Sequence, residues 1–151
     1  MRILLNGLSA RTGGGQTVLQ THVRALVAAY GSDRLTVLAT SRAHLDEDVR
    51  YRLILWPRLP APVRLVAEQV LVPFFARRSR ADVVYCVGNF GLLLATKPVV
   101  QLLQNAYHFR SLEPLGMRQI YSRIRLLRFR IETWLARVTA RRSAVVCAVS
   151  Y

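Results

Sequence analysis

Apolar and polar positions alternate along this chain in blocks. Ile3, Leu4 and Leu5 form a short apolar run that breaks at Asn6-Gly7, and this predicts a first strand. After Gly13-Gly14-Gly15, the residues Val18, Leu19, His22, Val23, Leu26, Val27 and Tyr30 recur at intervals of three and four. That spacing puts them on one face of a helix, with Gly31 placed to close it in a left-handed cap. Further strands are predicted over Arg34–Thr40, Tyr51–Trp56, Val83–Val87, Pro98–Leu103 and Ala144–Val149. Leu59-Pro60-Ala61-Pro62 reads as a rigid linker in which Pro62 opens a second helix over Val63–Arg80, kinked or split at Pro73. A long helical pattern covers residues 115–143.

Six strands alternating with helices predict an α/β fold, a Rossmann-like open, mostly parallel sheet with helices on both faces. The runs without polar alternation suit strands buried on both sides. A chain of 151 residues is one domain by length. In such sheets ligands bind beyond the carboxyl ends of the strands. The candidates there are Asn6, Gly7, the turn Gly13, Gly14, Gly15 and Gln16, then Gly88, Asn89, Asn105 and Ser150.

A glycine turn feeding a helix brings backbone N–H groups up to a phosphate, or is simply a tight strand-to-helix connection. The dinucleotide fingerprint is not met, because Val18 stands where its last glycine belongs, and no Gly-Lys-Ser/Thr is present. The second strand ends in Thr40-Ser41 without an acid for a ribose. NAD or ATP held by a standard motif is excluded, and no cofactor is expected.

Charge changes the picture. The net charge of +14 arises from 21 Arg and one Lys, Lys97, against eight acids. Such a surplus points to a polyanionic partner, or is a solvated basic surface. Nucleic acid is set aside, since the arginines are scattered over several elements and no recognised module is visible. The longest nearly uncharged run, Val83–Thr96, is too short to span a bilayer, and the apolar stretch after Arg2 is too short for a secretory signal. Cys86 and Cys147 sit in apolar runs and are expected as buried, reduced core residues in a cytoplasmic protein.

From Met117 onward, Ile120, Ile124, Leu127, Ile131, Trp134, Leu135 and Val138 form one stripe, expected to pack on the sheet. Arg123, Arg130, Arg137 and Arg141 line one flank, while Arg125, Arg128 and Arg142 line the other. Leu126 and Phe129 are expected on the solvent side. A basic amphipathic helix of this kind suits an anionic membrane surface, with Arg123, Arg125, Arg128, Arg130 and Arg137 facing it, or is an ordinary core-packing helix with solvated arginines.

Four segments in order, RILLNGLSARTGGGQTVLQTHVRAL, ADVVYCVGNFGLLLA, KPVVQLLQNAYHF and RSAVVCAVS, resemble the N-terminal domain of a GT-B glycosyltransferase of the family 4 type. The resemblance implies that this domain binds a carbohydrate or lipid-linked acceptor. A second domain would hold the nucleotide-sugar, with no obligatory metal. It implies that Gly14 and Gly15 lie against the donor diphosphate and that Asn89 and Asn105 border the acceptor pocket. His108 falls three residues past the strand end and is not matched to a family histidine. The chain stops at Tyr151, about where the second domain would begin. The implied reading is an acceptor-side half that is inactive alone: a fragment, a truncated product or half of a split enzyme. It would be cytoplasmic and peripheral at the inner face of a membrane. The competing reading is a non-enzymatic basic domain that docks on anionic membrane or a partner protein.

Overall fold

The computed structural model describes residues 1–10, 13–42, 45, 51–104 and 123–148, with side chains from residue 126 onward in the last segment. The strands are β1 (Ile3–Asn6), β2 (Leu35–Ala39), β3 (Arg52–Leu55), β4 (Val83–Cys86), β5 (Val99–Leu103) and β6 (Val145–Ala148). The helices are α1 (Gly14–Tyr30), α2 (Ala61–Arg78) and α3 (Arg123–Arg142), with a 3-10 turn at Ser32–Arg34. The six strands form one all-parallel sheet in the order β3-β2-β1-β4-β5-β6. It is the predicted Rossmann-like α/β arrangement. Strand order reverses between β1 and β4, whose residues pair from Ile3↔Val83 to Asn6↔Cys86.

Alternation within β1 divides the core. Ile3 and Leu5 pack with Leu19 and Val23 of α1, whereas Leu4 packs with Val72 and Ala76 of α2 on the opposite face. Helix α3 shares the α2 face. Its Leu135 and Ala136 pack with Phe90, and Leu65 of α2 and Leu93 close the same cluster. Strands β1 and β2 are buried along their whole length, and β4 alternates between buried and half-buried residues, as apolar runs in a parallel sheet lead one to expect.

Four expectations need correction. Helix α2 is not split at Pro73 but runs unbroken from Ala61 to Arg78. Proline removes one backbone donor there, and the buried Val72 and Ala76 anchor the helix on either side. Gly31 has the predicted positive φ of 89°, but its ψ of 151° is extended and not a left-handed helical cap. Strand β6 is an edge strand, so Val145 is 50 % exposed and Cys147 only half-buried.

The fourth correction concerns α3. Only part of its apolar stripe faces inward: Leu135 is buried and Val138 half-buried, but Leu127, Ile131 and Trp134 are exposed, while Leu126 and Phe129, expected in solvent, are half-buried. The buried side is Leu135, Ala136 and Thr139. Thr139 Oγ1 accepts the Gly91 N–H at 3.1 Å and donates to the Leu135 carbonyl at 2.8 Å. Small and satisfied polar side chains let the 90–93 loop sit directly under the helix, which turns its bulky residues outward.

Candidate functional site

The candidate site lies at the carboxyl ends of β1 and β4, beside the reversal in strand order. Such a reversal leaves a crevice between diverging loops. Gly7 follows β1, and its N–H donates to the Leu38 carbonyl at 2.8 Å. A Cβ at Gly7 would stand 2.7 Å from both methyl carbons of Leu19, so glycine is what lets α1 pack this close to the strand end. The Ala10 N–H then turns back onto the Gly7 carbonyl at 3.0 Å.

Gly13 enters α1 with φ 55° and ψ −135°, a conformation that favours glycine. The Gln16 N–H donates to the Gly13 carbonyl at 3.0 Å. The first turn carries no acid, so nothing there opposes an anion at the positive end of the helix. Gly13 and Gly14 are exposed, and a Cβ at either would meet no atom within 4 Å. A Cβ at Gly15 would meet Ala10 at an ordinary 3.5 Å. The turn is thus open to an approaching group on the side of Gly14 and Gly15.

The β4 end meets this turn through Ser9. A Cβ on Gly88 would run into Ser9 Oγ, so the two loops touch at that point. Asn89 stands at the same rim, with its amide engaged. Its Oδ1 accepts the Gln104 N–H at 2.9 Å, and its carbonyl accepts from Gln101 Nε2 at 2.9 Å. Gln104 Nε2 in turn donates to the Val87 carbonyl at 3.2 Å. Asn89 therefore fixes the loop to the end of β5. Asn105, His108 and Ser150 lie outside the described residues; of the others, Gly88 meets the β1–α1 connection at Ser9, and Asn89 is bonded to the end of β5.

Beneath the rim is a polar group that pattern reading passed over. Asn6 and Glu68 are both buried, and Asn6 Nδ2 donates to Glu68 Oε2 at 3.4 Å. Arg64 Nε lies 3.2 Å from Glu68 Oε1. Asn6 Oδ1 also accepts the Leu8 N–H at 3.3 Å. The group ties α2 to the end of β1. Burial, and after it the Glu68 charge, push the neighbouring Cys86 thiol up to about 12, against a weaker opposing hydrogen bond from Asn6. Cys86 is thus a protonated, unreactive core residue. The available signal was a single acid among apolar residues, four after an arginine on a helix.

The two arginine flanks of α3 separate in the structure. Arg128 pairs with Glu132 at 2.8 Å, and Arg142 donates to the Leu93 carbonyl at 2.9 Å. Arg130, Arg137 and Arg141 line the exposed flank. Arg123 and Arg125 lie in the first turn of the helix. His22 Nδ1 donates to the Val18 carbonyl at 2.7 Å, and its ring meets Tyr85 edge to face, which makes it part of the packing of α1. Among the described residues no group of three or more His, Cys, Asp or Glu is placed to hold a metal, and no helix is long and apolar enough to cross a membrane. Set against known protein families, curated proteins and solved structures, the chain matches none.

Proposed function

We propose that this chain is the acceptor-side, Rossmann-like half of a glycosyltransferase that uses a nucleotide-sugar. The observation that carries the reading is the open turn at Gly13–Gln16, set at the carboxyl-end rim where strand order reverses. An acid-free helix start presents backbone N–H groups to an anion, and such donors stabilise the charge that grows on a departing diphosphate. The donor sugar would be held by a second domain, and the rim around Gly88 and Asn89 would face a carbohydrate or lipid-linked acceptor. The order of the four resembling segments along the chain supports the same reading.

Inorganic pyrophosphate tests the turn without a second domain. Amide chemical shifts of Gly13, Gly14, Gly15 and Gln16 should move saturably, and Gly15→Val should weaken that response at least about tenfold by blocking the approach. Gly15→Ala should keep the fold, because its Cβ has ordinary contacts. Pyrophosphate shifts centred elsewhere, or an undiminished response in Gly15→Val, would remove the basis of the proposal.

A further inference from the structure

Helices α2 and α3 lie on the same sheet face, and both turn large apolar side chains to solvent. On α2, Val63, Val66, Val70 and Phe74 are spaced by three or four residues, and Arg77 continues the line. Val66 is 70 % exposed and Phe74 56 %. The buried residues Glu68, Val72 and Ala76 lie on the opposite side of that helix, so the stripe points away from the sheet. On α3, Leu127, Arg130, Trp134, Arg137 and Arg141 again follow one another at intervals of three and four, with Ile131 beside them. Trp134 is 58 % exposed.

The opposite face of the sheet differs. Helix α1 exposes one large apolar side chain among its described residues, Tyr30 at its last position. Scattered exposed apolar residues are ordinary, but two helices on one sheet face, each with an exposed apolar stripe, carry a surface of the kind that marks an interaction.

We propose that the outward face of α2 and α3 docks on an anionic lipid bilayer, lying in its interface without crossing it. Charge selects this occupant. The stripe on α3 is interleaved with arginines, and the chain carries +14. A second copy meeting this face about a two-fold axis would bring arginine rails together, and like charges oppose that contact. A bilayer offers both complements at once: anionic headgroups for the guanidinium groups and acyl chains for Val66, Val70, Phe74, Leu127 and Ile131. Trp134 has the shape and polarity favoured at headgroup depth. Arginine stems reach along such a surface while their heads stay with the phosphates. The inference stands apart from the sugar-transfer reading, since it uses a different surface and needs no donor.

The test is co-sedimentation of the full chain with phosphatidylcholine vesicles, with and without about one-third phosphatidylglycerol. The chain should pellet with the anionic vesicles only, and Trp134 emission should shift to the blue on binding. Each of Arg130→Gln, Arg141→Gln and Arg77→Gln should lower partitioning about fivefold. Phe74→Ser with Trp134→Ser should lower it more than about tenfold while leaving the thermal midpoint unchanged, because both side chains are exposed. Equal binding to neutral vesicles, or none to either, would overturn the proposal. So would undiminished binding of the Phe74→Ser and Trp134→Ser variant, which would mean attraction by charge alone. A dimer in solution that Trp134→Ser dissociates would assign the face to a second copy instead.

Discussion

Ser9 occupies the space that a side chain at position 88 would need. The β1–α1 connection thereby rests on the loop that leaves β4, and the two halves of the rim are held at one distance. Gly88→Ala should force Ser9 to rotate and shift, at a cost of about 1–2 kcal/mol. Urea denaturation of Gly88→Ala, Ser9→Gly and the double variant measures the coupling. The double variant should recover most of the loss, and additive effects would show that the contact is unimportant.

The Glu68–Arg64 pair under the rim is nearly dry, with side-chain exposures of 4 % and 13 %. Removing one partner leaves the other charge poorly solvated. Arg64→Met should therefore destabilise the fold by about 2–4 kcal/mol, because it leaves the more deeply buried Glu68 unpaired, and Glu68→Gln by less, because Arg64 lies nearer to solvent. Replacing both with Leu and Met should cost less than Arg64→Met alone, which equilibrium unfolding of the three variants decides.

Alkaline stability reports on Cys86. Its thiol is raised from 9.0 to about 12 in the fold, so the folded state keeps a proton that the unfolded chain gives up above about pH 9. The resulting stability is fully present below pH 9 and is lost as pH rises towards 12. Tyr85, raised from 10.0 to about 12 chiefly by burial, acts in the same direction at the upper end of that range. Cys86→Ala should flatten the fall in unfolding free energy between about pH 9 and 10, where Tyr85, with its ordinary value of 10.0 in the unfolded chain, contributes less. An unchanged slope in that variant would mean that Cys86 ionises freely in the fold. At pH 8 a thiol reagent should label the half-buried Cys147 well before Cys86.

Local physics settled much of this molecule from the chain alone. Each strand was legible because a short apolar run, broken by at most one polar residue, ended at a polar residue, a glycine or a proline, and α1 because its apolar residues recur with helical spacing. The glycine turn was legible too: only glycine readily takes the backbone conformation seen at Gly13, and only glycine leaves Gly7 clear of Leu19. Strands recurring between helical segments pointed to the parallel open sheet, although residues 87–98, between β4 and β5, form no helix.

What the pattern could not reveal was which apolar surfaces meet. The stripe Leu127–Ile131–Trp134 has the periodicity of a core face, but periodicity records only that apolar residues share a side, not whether anything covers it. In the structure Ala136 and Thr139 admit the 90–93 loop, so the helix buries these two with Leu135 and leaves Leu127, Ile131 and Trp134 exposed. Strand β6 carries an apolar run equal to that of β4, yet only one is central, because strand order is a property of the whole sheet. The Arg64–Glu68 pair is local to α2, but Asn6 lies sixty-two positions from Glu68, and only long-range packing brings the amide under that carboxylate. Hydrophobic spacing determined the elements and the open glycine turn; tertiary packing decided which faces were spent on the core and which remained for a partner.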